Sequence, residues 1–373
     1  MYKISPEKAI VFLKVSVSLT GCWPTSSKTY SRINLFELLW YILFANNLFL
    51  LFPLINAIYE NRSDTILLTK SICLACAVAQ ITLKMILCRR ERFRLQSLLL
   101  DLENSCKTDN KEEKIILQKY TDKCKYVHAI YTSLCYLTAI IVICSPLYTN
   151  QKFPTNAKYP FPVDHSPIRE IIFLHQSLVG LQVSAGMCID CKLAALLWYV
   201  AVKFELLSRD IREFKNMQEL NACITRHQEV LRYAGETKDV ILYLVLTTIL
   251  TTTMGTIFAG LNIVDQQPLA VKVQYVFVVF VASAELFIYA WPADNLINVS
   301  SNISWDIYNS NWLKSSPSAR RNLMQCIIRS QNPETIRVGK IKMPLSFQYY
   351  SSYLTSSFSY FTSLRAILRK KYD

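Results

Sequence analysis

The chain has 373 residues, 52% of them hydrophobic and 18% charged; soluble domains carry roughly 25% charged residues, so this is the composition of a polytopic membrane protein. Its 7 glycines form no G-x-G-x-x-G or Walker pattern, which excludes a phosphate-cradling loop. The net charge of +14 falls in short segments between apolar stretches, which matches an anionic lipid face and argues against nucleic acid as a partner.

Ala9 to Thr20 is apolar but interrupted by Lys14, and Gly21-Cys22-Trp23-Pro24 follows in place of a small-residue cleavage site. An interfacial amphipathic helix is expected there rather than a cleaved signal. The first span is read from Leu35 to Tyr59, with a kink expected at Pro53. A polar turn leads into the second, Thr65 to Leu87, whose Lys70 and Lys84 are read as snorkelling to the span ends. Cys88 to Lys125 is charged and helix-prone, an extension of the second and third spans below the membrane. The third span is Tyr126 to Tyr148, followed by the proline- and aromatic-rich loop YPFPVDHSP, Tyr159 to Pro167. The fourth, Ile171 to Val202, exceeds the bilayer and is therefore tilted or projecting; it holds Asp190 and Lys192 in its inner half. Ser208 to Lys238 is polar and helical. The fifth span is Val240 to Val264, the sixth Val271 to Pro292 with Glu285 inside it, and residues 291–342 are polar with helical stretches.

Cysteines and histidines carry little. Cys73–Cys76 and Cys188–Cys191 are C-x-x-C pairs, but both lie within apolar helices, where thiols behave as small hydrophobes. No metal and no cofactor is expected. His128, His165, His175 and His227 fall in separate segments, with no H-E-x-x-H or nucleophile–base pattern, so no catalytic residue is assigned. No internal repeat of the transporter kind is present. Asp190 and Glu285 are intramembrane acids and functional candidates by default; a structural partner such as Lys192, a backbone group or water is the other reading.

The last stretch, Met343 to Leu368, is long enough to cross a bilayer, yet 13 of the 18 residues from Ser346 to Ser363 are Ser, Thr or Tyr. Hydroxyls need partners that hydrocarbon does not supply. Ser352, Ser356, Ser359 and Ser363 fall on one helical stripe that Ile367 continues. Two readings stand: close helix packing, or a face lining a water-filled conduction path.

Seven spans result. The N-terminal segment and the second, fourth and sixth connections hold the large majority of the 41 Lys and Arg, which places the N-terminus in the cytoplasm and the C-terminus outside. The expected fold is therefore an all-α membrane protein of seven transmembrane helices, inverted relative to G-protein-coupled receptors. No D-R-Y follows the third span and no N-P-x-x-Y lies in the last.

These residues resemble the insect odorant receptor family over essentially the full length. The most specific marker is SFSYFTSLR, Ser357 to Arg365, similar to the family ending S-Y-F-T-x-L-R. Supporting it are YPFPVDHSP followed by FLHQ at Phe173, ITRHQEVLRYA around His227, and IYNSNW…IIRSQNPETIRVGKI before the last span. Gustatory receptors end in T-Y-x5-Q-F, whereas Ala366 stands six positions after Tyr360. The short fourth connection, Lys203 to Asp239, is similar to a ligand-tuning subunit, since the shared co-receptor carries a long insertion there.

The resemblance implies an odorant-gated, non-selective cation channel: a heterotetramer with the co-receptor, in contact with membrane lipid and permeating cations, gated by a small volatile hydrophobic ligand. It implies the plasma membrane of an olfactory neuron dendrite. Residues 1–34 would be a cytoplasmic segment, 35–290 six helices with the pocket, 291–342 the subunit contact, 343–368 the pore helix and 369–373 an outer tail. The pocket would draw on Ile72, Cys73, Leu137, Ile140, Ile141, Cys144, His175, Val179, Gln182, Tyr275 and Val279, positions that plain bundle packing also suits. The pore would be lined by Ser352, Ser356, Ser359, Ser363 and Ile367, with Ser363 where the family usually has an aliphatic residue. The sequon at Asn61 would be the glycosylated one. The rival is a metabotropic seven-helix chemoreceptor with its N-terminus outside.

Overall fold

The computed structural model describes residues 4–24, 30–149, 151–264, 267–310, 312–314, 316–337 and 343–369. Ser5 accepts a hydrogen bond from the Lys8 amide to open α1 (Pro6–Ser16), with Pro6 at the first position, where its missing N–H costs nothing. Val11, Phe12 and Val15 stay exposed on this short helix. Beyond α2 (Tyr30–Glu60), Asp64 Oδ1 accepts from the Ile66 and Leu67 amides at 2.9 and 3.1 Å and turns the chain into α3 (Thr65–Arg90). The helix breaks at Glu91, and α4 (Arg92–Cys106) follows. Asn110 caps α5 (Lys111–Ile143), which enters the bundle from its charged first half.

The fourth span is two helices, α6 (Ile168–Met187) and α7 (Ile189–Glu213), broken at Cys188. Just before the break, a Cβ on Gly186 would stand 2.0 Å from Ile81 Cδ1; glycine lets α3 and α6 touch. From Ile189 to Val202 every residue except Ala195 is buried. This helix is the axis of the molecule, wrapped by α5, α8 (Met217–Val264) and α9 (Leu269–Asn309). In hydrocarbon such packing is held by close contact and polar pairing rather than by expulsion of water.

Six helices among the described residues are long and apolar enough to span a membrane. The sixth runs past the expected stop: Pro292 lies inside α9, which continues to Asn309. Likewise Pro53 lies inside a continuous α2. Both α8, with 48 residues, and α9, with 41, exceed the roughly 20 a bilayer needs. Their far ends pack with α10 (Pro317–Ser330), capped by Ser316. There Glu334, 4% exposed, pairs with Lys238 of α8 and Arg329 of α10, while its amide donates to Ser300 Oγ of α9 at 3.0 Å. Burial works to raise this carboxyl's pKa, but the two cations outweigh it and hold it below the usual range. Leu345 donates back to the Ile336 carbonyl at 2.8 Å and leads into α11 (Phe347–Arg369). This last helix packs on α8 and α9, where a Cβ on Gly260 would lie 2.9 Å from the Phe361 ring.

Lys84 does not reach an end of its span. It is fully buried between two carboxylates, because α7 and α9 each present an acid at its depth and pairing removes the need to extend to the headgroups.

Candidate functional site

Three helices meet at that lysine. Lys84 Nζ lies 2.7 Å from Asp190 Oδ2 of α7 and 2.6 Å from Glu285 Oε1 of α9. One turn before it, Gln80 Nε2 donates to Glu285 Oε1 at 2.5 Å; one turn beyond Glu285, Tyr289 OH donates to Asp190 Oδ1 at 2.5 Å. The spacings 80/84 and 285/289 put each pair on one face of its helix. The three charged side chains have no solvent exposure. Lys192, by contrast, donates to the Cys22 carbonyl at 3.0 Å. The partner of both acids is Lys84 of α3.

Against this charged knot lies a cavity of about 130 Å³, walled by α3, α5, α6, α8 and α9, with Leu50 of α2 at one side and Gln80 and Glu285 on its wall. Of the residues expected to bind ligand, Cys73, Val179 and Tyr275 line it together. Ile72 and Val279 are half-buried neighbours of lining residues, and Val279 packs in a cluster with Cys73 and Tyr275. Gln182 is a tie between helices: it accepts from Asn46 Nδ2 at 2.5 Å and donates to the Leu43 carbonyl at 3.2 Å. His175 sits 3.1 Å from the Asn46 carbonyl with its ring edge-on to Phe49.

On α5 the expected face is turned away. Leu137 and Ile140 are 43% and 51% exposed, Ile141 accepts from Tyr148 OH at 2.7 Å, and Cys144 caps the helix end. The cavity takes Cys135, Thr138, Ala139 and Val142 instead. Small and hydroxyl-bearing residues at that spacing, next to bulky Leu137 and Ile140, are the signal that could have picked this face. Gln80, Thr252 and Glu285 also line the cavity without having been expected there.

The last helix is packed along one stripe, Tyr349, Tyr353 and Ser357, one turn apart each. Ser352, Ser356, Ser359 and Ser363 lie beside this stripe and are all exposed; Phe358 is 67% exposed. The side chain of Ile367 lies outside the described residues. Cavity and last helix share one bond: Tyr353 OH donates to Thr252 Oγ1 at 3.1 Å, and Thr252 is on the cavity wall. Asn61, at the turn after α2, has its Nδ2 buried, whereas Asn298 and Asn302 are exposed on the far part of α9.

The family model for the 7tm odorant receptors matches residues 64–358. Putative odorant receptor 92a of Drosophila melanogaster is 25% identical over 55% of this chain, an alignment that spans about half, 53%, of that relative. Odorant receptor 10 of Aedes albopictus is 22% identical over 69% of this chain and 72% of its own, and odorant receptor 13a of Drosophila melanogaster 21% identical over 98% of each. Among solved structures, the insect olfactory receptor OR5 from Machilis hrabei in complex with eugenol superposes with a TM-score of 0.85 at 15% identity, covering 96% of this chain and 98% of that one.

Proposed function

The chain belongs to the 7tm odorant receptor family, and from that premise we propose that it is the ligand-binding subunit of an odorant-gated, non-selective cation channel, assembled as a heterotetramer with the shared co-receptor in the plasma membrane of olfactory neuron dendrites. The odorant would sit in the cavity against the charged knot, the exposed serines of α11 would face the conduction path, and the far ends of α8, α9 and α10 would meet neighbouring subunits. The observation that carries this reading is the Tyr353–Thr252 bond, because a side chain on the cavity wall then holds the helix whose hydroxyl face is left open. A ligand that displaces α8 at Thr252 acts on α11 without an intermediary. The complex of a structural relative with eugenol supports a small organic ligand.

Co-expression with a co-receptor tests it: odorants should evoke a cation current that the chain alone does not give and that G-protein inhibitors leave intact. A current abolished by those inhibitors rejects the channel. The N-terminus is taken as cytoplasmic, so the exposed Asn298 and Asn302 should carry no glycan, and Asn61 at most a partial one because its Nδ2 is buried. A glycan on Asn298 or Asn302 reverses the orientation.

A further inference from the structure

A groove of about 440 Å³ opens where α1, the start of α2 and the break between α3 and α4 meet, at the ends of α2 and α3 farthest from the turn that joins them. Among the described residues lining it, Lys14, Arg89 and Arg92 supply three cations and Glu37 the one carboxylate. Glu37 Oε1 serves both guanidiniums: it lies 3.1 Å from Arg89 Nη2 and accepts from Arg92 Nη1 at 2.8 Å. Lys14 pairs outside the groove, with Glu103 at 2.8 Å. The neighbouring chain extends the imbalance. Arg90 and Arg94 share Glu91 at 3.5 Å each, and residues 25–34 contain Lys28 and Arg32 but no acid. A guanidinium carries five donors, so two of them on one carboxylate oxygen leave donors for a further anion.

Aromatic rings set the level of these charges. Lys14 Nζ lies 5.3 Å from the Trp23 ring centroid, and Arg89 lies 5.4 Å from that of Trp40 and 5.8 Å from that of Tyr41. Trp and Tyr favour the boundary between hydrocarbon and headgroups. Arg89 and Arg90 end the apolar helix α3, so the groove lies at that boundary. Phe36, Leu39 and Phe93 line it and are exposed. A soluble anion would leave these three side chains in water, whereas a phospholipid covers them while its phosphate meets the arginines.

We propose that this groove binds the headgroup of one anionic phospholipid, with its phosphodiester on Arg89 and Arg92 and its acyl chains along Phe36, Leu39 and Phe93. Arginine suits the phosphate because its planar fork matches the oxygens. Net charge decides the lipid class: a zwitterionic headgroup brings as much positive charge as negative, whereas an anionic one offsets the excess in the groove. Glu37 is the internal competitor, since it holds the same two guanidiniums.

The test uses the purified full-length chain in neutral detergent, titrated separately with phosphatidylserine and phosphatidylcholine, with bound lipid counted by native mass spectrometry. Detergent has no sides, so the outcome does not depend on which way the chain is inserted. Phosphatidylserine should fill one saturable site about tenfold or more tightly than phosphatidylcholine, given roughly fivefold for each interfacial arginine. Replacing both arginines, Arg89→Gln with Arg92→Gln, should abolish that preference. Glu37→Gln frees both guanidiniums and should tighten phosphatidylserine binding about fivefold. Lys107→Gln with Lys114→Gln removes the same charge from exposed positions elsewhere and should change nothing. Equal affinity for the two lipids, an equal loss in the lysine pair, or no gain in Glu37→Gln overturns the proposal. Displacement by inorganic phosphate at comparable concentration also overturns it, leaving a soluble-anion site. If the arginine variant does not fold, Glu37→Gln and the wild-type lipid ranking decide. If neither variant folds, a photoactivatable phosphatidylserine on the wild type decides: labelling centred on the segments of Trp23, Phe36 and Phe93 upholds the site, and labelling without that preference rejects it.

Discussion

Helices α7 and α11 are opposite solutions to placing polar residues in a membrane protein. In α7 the chain completes its own surroundings: thirteen of fourteen residues from Ile189 to Val202 are buried, and Asp190 and Lys192 find partners on α3, α9 and the Cys22 backbone. In α11 the described residues cover one stripe only and leave the serines beside it exposed. A polar group satisfied within its own chain is structure; a row left open on a spanning helix calls for water or another subunit. The difference separates what this chain needs in order to fold from what it offers to an assembly.

The comparison breaks most visibly at Lys84. Lys84→Met leaves two buried carboxylates unpaired, an outcome worth about 3–5 kcal/mol, and surface biotinylation should show the protein largely retained inside the cell. Wild-type surface levels with an unchanged melting temperature would mean that the knot holds nothing. At α11, cysteines at Ser352, Ser356, Ser359 and Ser363 should react with water-borne thiol reagents in the assembled receptor and alter current, once the native cysteines are shown silent. Cysteines at Tyr353 and Ser357, on the packed stripe, should not. Ser363→Leu should lower leak current, because hydrophobic constrictions close by dewetting. Reactivity without a preferred face would reduce the stripe to packing.

Tyr353→Phe removes one neutral hydrogen bond, about 1 kcal/mol, and should shift the half-maximal odorant concentration roughly fivefold at unchanged surface expression. An unmoved dose–response curve would disconnect the cavity from α11. The smallest effect is expected at Glu334, whose cations Lys238 and Arg329 are partly exposed, so its pairs contribute about 1 kcal/mol or less. Its carboxyl pKa is lowered on folding. The contribution is therefore complete above the ordinary glutamate value of 4.5 and fades as pH falls through the lower, folded value. Melting curves of Glu334→Gln should converge with wild type at acid pH and separate near neutrality.

The six apolar spans were legible in the sequence because hydropathy is a sum over many residues. Rotation is not a sum. The α5 face was placed one position off, on Leu137 and Ile140, because an apolar helix in lipid is greasy all round and periodicity has little contrast there. Pro292 was read as a stop, yet a single proline within a long, packed helix is tolerated where neighbouring helices hold it. Lys84 was assigned to an end of its span because its partners lie 106 and 201 positions further along the chain, beyond any local pattern.

Those two separations also set a timetable. At about 5–20 residues per second of synthesis, the ribosome reaches Glu285 roughly 10–40 s after Lys84 has been made, and Asp190 about halfway through that interval. Until then the ammonium has neither carboxylate, and the inexpensive place for it is the lipid headgroup region. The knot therefore closes in chain order: its lysine is made first, Asp190 second and Glu285 third.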